Sequence, residues 1–227
     1  MPTIQVLSDT HLEYQPHLTF HDLLVPTAQI LVLAGNIGNP KESPYHEFIT
    51  TCSMSFEWVI IICGSYDYRL LSKNWNWTVL ETDLYMMALA TSFPNVLYLA
   101  HGENIEVCGI NFIGATLWTP QPDSLASTLN TRYIKQFLDA ETPWSVSVQN
   151  KLHKEHLQTI IEKTERSSLP NVVITHHAPL NDPISYNVAL WIHGHTSTNN
   201  VDVCTNQRGR GARSLPLWRK DYVVHVQ

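Results

Sequence analysis

The sequence is poor in charged residues and has no long apolar run. Asp, Glu, Lys and Arg make up 15% of its 227 residues, against about 25% in a typical soluble domain. The net charge of −6 argues against broad electrostatic binding to nucleic acid or to an anionic membrane. No apolar run approaches the ~18 residues that span a bilayer, and the N-terminus lacks the features of a signal peptide. We therefore expect a cytoplasmic protein without membrane contact.

Cysteine is scarce and histidine is abundant. The four cysteines are scattered without a CxxC pair, which disfavours both a disulfide scaffold and a cysteine-ligated zinc site. Hydrophobic residues make up 44% of the chain and include seven Trp, which is ample for a packed core and excludes disorder. The twelve histidines are the one unusual count.

Five short apolar runs predict buried β-strands, because both faces of each run are apolar and β-branched residues dominate. These runs lie at residues 4–7, 30–34, 59–63, 172–174 and 189–192. Helices are predicted at about 43–56, 80–90 and 146–166. Ser43 is the predicted N-cap of the first helix, and Pro44 its first helical residue. The alternation of strands and helices implies a layered α/β domain.

Three further predictions concern the organisation of the chain. Residues 96–113 are interpreted as a meander in the same sandwich. Residues 115–146 are interpreted as a long loop with a small helix, an insertion of the kind that covers a site. The whole chain, 1–227, is predicted to form one domain.

Potential ligands follow the predicted strands. Ligands bind outside the carboxyl ends of strands in open α/β sheets, so residues that follow several strands can converge. Asp-x-His and His-x-His pairs suit divalent ions such as Zn²⁺, Mn²⁺ or Fe²⁺. In chain order these positions are Asp9/His11, Gly35/Asn36, Gly64/Ser65, His176/His177 and His193/His195. The other histidines are interpreted as surface or packing residues, namely His17, His21, His46, His101, His153, His156 and His225.

In this order the motifs resemble those of the calcineurin-like metallophosphoesterase superfamily. They are Asp9-Thr10-His11, Gly35-Asn36, Gly64-Ser65-Tyr66-Asp67, Thr175-His176-His177-Ala178-Pro179 and His193-Gly194-His195-Thr196-Ser197. The resemblance implies a four-layer αββα sandwich with two metal ions at one edge, bridged by an Asp and a hydroxide that attacks phosphorus. On the matching positions, Asp9 and His11 would hold the first metal, and His176 and His195 the second.

Four positions depart from the family pattern. Asn36 replaces the bridging carboxylate, Ser65 an amide ligand, Tyr66 the acid/base histidine and Ser197 a ligand histidine. Two divalent cations ~3.5 Å apart repel by roughly 19 kcal/mol even at an effective dielectric of 20. A neutral Asn36 offsets little of that repulsion. We therefore expect at most one divalent ion (Mn, Zn or Fe), or none.

Three functions remain open on this evidence. The first is a pseudoenzyme with lost or strongly reduced activity, kept for a structural role or to bind a phosphate-containing small molecule or a protein partner. The second is an active phosphomonoesterase or phosphodiesterase with one metal or a rearranged pair, where Asp67 or a residue of the segment 115–146 supplies a missing ligand. The third is nucleic-acid or polyphosphate binding through the basic stretch 208–220, where Arg208 is the candidate phosphate ligand. The negative net charge of the chain disfavours nucleic acid as the partner.

Overall fold

Two β-sheets form the centre of the computed structural model, which describes residues 2–15, 17–122, 124, 144–179, 187–197, 204–211 and 213–226. The first sheet has the strand order β4-β3-β2-β1-β9. Strands β1 to β4 are parallel, and β9 is antiparallel to β1. The strands are β1 (Thr3–Leu7), β2 (Ile30–Ala34), β3 (Trp58–Ile62), β4 (Val96–Tyr98) and β9 (Val223–His225).

The second sheet has the strand order β5-β6-β7-β8. An antiparallel hairpin joins β5 to β6, and β6, β7 and β8 are parallel. The strands are β5 (Glu103–Val107), β6 (Ile110–Ala115), β7 (Asn171–Thr175) and β8 (Val188–His193).

Five α-helices and one short 3₁₀ helix are present among the described residues. The 3₁₀ helix, Leu12–Tyr14, follows β1. The α-helices are α1 (Phe20–Leu23), α2 (Ser43–Ser55), α3 (Ser65–Trp75), α4 (Val79–Thr91) and α5 (Val146–Arg166). None of these described helices is both long enough and apolar enough to cross a membrane.

Alternation along the strands divides the core into layers, because successive side chains of a strand point to opposite faces. Between the sheets lie Val32 of β2 and Phe112 of β6. On the outer face of the first sheet, Leu33 belongs to the cluster that includes Phe48 of α2. On the outer face of the second sheet, Val173 of β7 and residues of α5 share a third cluster. The predicted four-layer αββα architecture is therefore confirmed.

Some predicted elements were wrong in detail. Helix α2 has Glu42 rather than Ser43 as its N-cap. The predicted meander does not exist, because β4 pairs with β3 in the first sheet while β5 and β6 belong to the second. Strand β8 is only partly buried, since it is an edge strand with Ala189 exposed. Helix α3 was not predicted, because its sequence is largely polar.

The predicted insertion at 115–146 is described only at its two ends. Residues 125–143, which include the predicted small helix, lie outside the described residues. The covering role of this segment and the single-domain organisation therefore remain predictions.

Candidate functional site

Backbone hydrogen bonds join the loops that follow the parallel strands. The Asp9 N–H donates to Gly35 O at 3.0 Å, and the Gly194 N–H donates to His176 O at 3.0 Å. These bonds hold the ends of β1 and β2 together, and likewise those of β7 and β8. The Asn36 side chain connects the two pairs through Asp9 and His176. The structure thus brings predicted site residues from both sheets into direct contact.

The backbone at this edge is strained at several candidate residues. A non-glycine residue in the left-handed region costs about 1–3 kcal/mol, and such residues cluster at functional sites. Five of the eleven non-glycine residues with positive φ in the described part of the chain lie in the loops at this edge, in agreement with the site predicted from the strand ends. The residues and their φ angles are Asp9 (53°), His11 (50°), Asn36 (55°), His195 (66°) and Ser197 (57°).

Gly35 permits the close approach of the β2 loop to its neighbours. Its φ is +84°, and a Cβ at this position would lie 2.6 Å from Gly64 N and 2.7 Å from His176 Nδ1. Both separations are shorter than real Cβ contacts. Only glycine therefore fits between the second and third motifs.

Asn36 lies at the centre of the site, and the protein uses all of its side-chain hydrogen-bonding groups. Its Nδ2 donates to Asp9 Oδ1 at 3.0 Å and lies 2.9 Å from His176 Nε2. Its Oδ1 accepts from the Tyr66 N–H at 2.9 Å. The amide nitrogen therefore faces the two residues predicted to hold different metals, and the amide oxygen faces the backbone of α3.

His176 is neutral, with its proton on a defined nitrogen. Its Nδ1 lies 2.9 Å from Ala34 O, and a carbonyl oxygen can only accept, so Nδ1 carries the proton. Nε2 then accepts from Asn36 Nδ2. Burial lowers the pKa of His176 to about 4, against a smaller opposing effect of the Asp9 charge. Both ring nitrogens therefore have protein partners.

The Asp9 carboxylate also has protein donors on both oxygens. Oδ1 accepts from Asn36, and Oδ2 accepts from the His195 N–H at 3.0 Å. His11 Nε2 lies 3.9 Å from Oδ1, and His11 Nδ1 lies 2.9 Å from Glu13 Oε1. The two residues predicted to bind the first metal, Asp9 and His11, are thus neighbours, and few of their ligand atoms are free of protein contacts.

A second group at the site consists of His176, His177 and His195. One nitrogen from each lies within 4.8 Å of the other two, so the three could hold a metal ion. The His177 ring stacks on His195, with centroids 3.9 Å apart and planes 12° apart. Sequence analysis placed His177 at this strand end but did not choose it as a ligand.

The protonation of His177 limits what this group can bind. The Thr119 N–H donates to His177 Nδ1 at 3.1 Å, so Nε2 carries the proton when the ring is neutral. Burial lowers the pKa of His177 well below its ordinary value. His176 and His195 are therefore better suited than His177 to bind an ion.

The residues at the departing positions have other contacts. Ser65 is the first residue of α3, and the Ser197 N–H donates to Gln207 Oε1 at 2.8 Å. The ring of Tyr66 meets His11 edge-on, with centroids 5.1 Å apart. Tyr66 therefore fills space beside the predicted first metal position.

Asp67 and Arg208 each support the local backbone. Asp67 Oδ2 accepts from the Gly64 N–H at 2.7 Å and the Asn36 N–H at 2.9 Å, and burial raises the pKa of this carboxyl to about 8. Arg208 is buried, and its Nη1 donates to the carbonyl oxygens of Gly209 and Gly211. These contacts engage Asp67 Oδ2 and Arg208 Nη1, whereas Asp67 Oδ1 is buried without a hydrogen-bond partner. The ligand roles of both residues stay predictions.

A separate histidine network lies outside the site and was missed by the sequence analysis. His101 Nε2 lies 2.7 Å from Asp83 Oδ2, and His101 Nδ1 lies 2.9 Å from His156 Nε2. The hydroxyls of Tyr68 and Tyr98 donate to the other oxygen of Asp83. His156 is a buried member of this network, which agrees with the packing alternative of the prediction and not with the surface alternative. The i, i+3 spacing of His153 and His156 gave no sign of His101 as the partner.

Comparison with known proteins gives a likeness in fold. No family model matches the chain. "Uncharacterized protein L509" of Acanthamoeba polyphaga mimivirus is 24% identical in an alignment that covers 92% of this chain and 91% of that protein. The crystal structure of phosphopantetheinyl hydrolase (PptH) from Mycobacterium tuberculosis aligns with a TM-score of 0.60 and 14% identity, covering 92% of this chain and 89% of that one. The fold is therefore of the metallophosphoesterase type.

Proposed function

We propose that this chain is a metallophosphoesterase-like protein that no longer assembles a dinuclear metal centre. It binds a phosphate-containing small molecule or protein, and its phosphoesterase activity is lost or strongly reduced. The observation that carries this proposal is the pair of hydrogen bonds from Asn36 Nδ2, one to Asp9 and one to His176. They connect the residues that the resemblance assigns to two different metals.

The donor set supports this proposal on chemical grounds. A bridging ligand must present lone pairs to both ions, but the nitrogen that faces Asp9 and His176 carries two protons. A rotation of the Asn36 amide by 180° would place its oxygen against Oδ1 of Asp9 and would break the hydrogen bond from the Tyr66 N–H. Two ions ~3.5 Å apart would still repel by roughly 19 kcal/mol at a dielectric of 20. The residues present therefore do not fit a pair of divalent ions.

A single divalent ion remains compatible with the site. His195 is exposed, and among the described residues the nitrogens of His176, His177 and His195 lie close enough together to hold a metal ion. An ion there would have to compete with Asn36 for Nε2 of His176. This group supports the second candidate function, an active phosphomonoesterase or phosphodiesterase with one metal.

The loss of the acid/base histidine weighs against that second candidate. Tyr66 stands at its position, and a phenol exchanges protons less readily than an imidazole at neutral pH. Loss of a general acid or base costs about 10²–10⁴-fold in rate. We therefore place binding ahead of catalysis.

Nucleic acid is not the proposed partner. Of the five cationic residues between 208 and 220, three are engaged within the protein. Arg208 donates to its own loop, Arg219 Nε lies 3.1 Å from Asp221 Oδ1, and Lys220 Nζ donates to His21 O. Few N–H groups of this stretch remain for the continuous contact with phosphates that nucleic-acid binding needs, and the net charge of the chain is −6.

Turnover assays test the proposal. Purified protein is incubated with p-nitrophenyl phosphate or bis(p-nitrophenyl) phosphate and added Mn²⁺, with an Asp9→Ala variant alongside. We expect no release of p-nitrophenol above that of the variant. Release that is clearly faster in the unmodified protein, and abolished by Asp9→Ala, would establish the second candidate instead.

A further inference from the structure

We infer that Arg210 and Tyr66 form the subsite that holds the phosphate group of the ligand. This inference rests on the proposed function, because it names the residues by which a non-catalytic site would grip its ligand. It moves the phosphate contact from Arg208, the residue chosen from the sequence, to a neighbour two positions along the chain.

Two tyrosine rings position the Arg210 guanidinium at the mouth of the site. Its Cζ lies 4.7 Å from the ring centroid of Tyr66 and 4.8 Å from that of Tyr14. A cation within about 6 Å of an aromatic face is attracted by the quadrupole of the ring. Arg210 is therefore held in place by two rings, although it is exposed to solvent.

No carboxylate among the described residues pairs with Arg210. None of the ion pairs between described residues, in which a nitrogen lies within 4.0 Å of a carboxylate oxygen, includes Arg210. Towards the described residues, its polar contact runs from Nη2 to Tyr66 Oη, at 3.4 Å. Most of its N–H groups therefore remain available to an anion, and guanidinium matches phosphate with paired hydrogen bonds.

Tyr66 links this cation to the candidate site. One neighbour of its ring is His11, at a centroid distance of 5.1 Å, and another is Arg210. Because Tyr66 Oη accepts from Arg210, its own proton remains available to a phosphate oxygen. The residue that replaces the acid/base histidine thus becomes a hydrogen-bond donor to the ligand.

An open pocket beside the two tyrosines leaves room for the rest of the ligand. It has a volume of about 260 Å³ and includes Tyr14 and Tyr66 in its lining. Its lining includes two carboxylates: Glu13 Oε1 contacts His11 Nδ1 while its Oε2 is buried without a partner, and Glu42 Oε1 accepts from Asn39 Nδ2. The phosphate group is therefore placed at the Arg210 guanidinium, and the uncharged part of the ligand in the pocket. The ligand class that fits is a phosphate ester whose alcohol part lies against tyrosine.

Calorimetric titration of the full, metal-free chain tests this assignment. The probes are inorganic phosphate, p-nitrophenyl phosphate and, without a phosphate group, p-nitrophenol. We expect both phosphate probes to bind and p-nitrophenol not to. Arg210→Ala should weaken both by about tenfold or more, and Arg210→Lys by less, because lysine keeps the charge but not the paired geometry.

Arg213→Ala is the matched control, since it removes the same charge from an exposed position of the same segment. It should change the affinities by about twofold at most. Tyr66→Phe should weaken phosphate binding while the fold, followed by its melting temperature, stays intact. Equal affinities for Arg210→Ala and the unmodified protein, equal losses in both arginine variants, or no binding of either phosphate probe would overturn the assignment.

The two proposals fail separately in this design. Binding is measured without metal, so an enzyme that proves active would leave the Arg210 result readable. A subsite that proves wrong would leave the metal content and the turnover of the protein unchanged.

Discussion

Two histidine clusters in this protein differ in what their polar atoms contact. In the network of Asp83, His101 and His156, each imidazole nitrogen has a partner, and the chain ends at the Leu117 N–H, 3.3 Å from His156 Nδ1. At the candidate site, His176 has two partners and His177 has one unpartnered nitrogen. A closed network serves structure, whereas an open one can still accept a ligand.

The comparison also shows that most polar atoms of the candidate site already have hydrogen-bond partners within the protein. Asn36 donates to Asp9 and His176 in the way that His156 donates to His101. One neutral amide thus gives the site the internal hydrogen bonding of a structural network. The remaining opening lies towards His195 and Arg210, which are both exposed.

The largest expected effect comes from reopening the site. A variant with Asn36→Asp, Ser65→Asn, Tyr66→His and Ser197→His restores the four groups that the family pattern contains. We expect two Mn²⁺ ions per chain and hydrolysis of bis(p-nitrophenyl) phosphate at least about 10²-fold above the unmodified protein. Metal analysis and initial rates measure both.

The control combines Asn36→Ala with the other three substitutions, because alanine removes the amide without supplying a carboxylate. It should bind at most one ion and show no gain in rate. If the restored variant binds no more metal than the unmodified protein, the closure of the site does not depend on these four residues.

The next effect concerns the closed network. Asp83→Asn replaces one accepting oxygen by an N–H₂ group, so either the Nε2–H of His101 or the hydroxyls of Tyr68 and Tyr98 lose their acceptor. We expect a loss of about 2–3 kcal/mol in the free energy of unfolding, measured with urea. Tyr68→Phe removes one donor and leaves the carboxylate, so it should cost about 1 kcal/mol. Equal losses would contradict the central position of Asp83.

A smaller effect is expected in the pH dependence of stability. Burial lowers the pKa of His156 to about 3, whereas the unfolded chain has an ordinary value near 6.5. Between these values the unfolded state binds a proton that the native state does not, so stability falls as the pH decreases below about 6.5. The slope due to this residue is on the order of 1.4 kcal/mol per pH unit.

His156→Gln removes this titration and should flatten the slope between about pH 6 and 5. His101 acts in a different pH range. Although burial opposes it, the bond to Asp83 raises the pKa of His101, so its contribution is present at low pH and lost as the pH rises through the raised value. An unchanged slope in His156→Gln, measured by urea unfolding at several pH values, would contradict the buried neutral state.

The fold was predictable to a large extent because its strands carry apolar residues on both faces. The strands β1, β2, β3 and β7 lie within one or two residues of the predicted runs. Pairing was less predictable. The sequence between 96 and 113 does not tell which sheet each strand joins, because that depends on contacts with residues far along the chain.

The candidate site shows the same division between local and distant information. The positions of Asp9, Asn36, His176 and His195 followed from strand ends, which are local signals. The two bonds of Asn36 reach 27 and 140 residues along the chain, and the bond between His101 and His156 spans 55 residues. No local pattern encodes these distances, so the closure of the site became visible only in the structure.

The metal stoichiometry of the unmodified protein tests the central claim most directly. Protein purified without chelator is dialysed against excess Mn²⁺ or Zn²⁺, passed through a desalting column and analysed for metal per chain. The hydrogen bonds of Asn36 predict at most one ion per chain. Two tightly held ions would show that Asn36 does not exclude a dinuclear centre and would contradict the account.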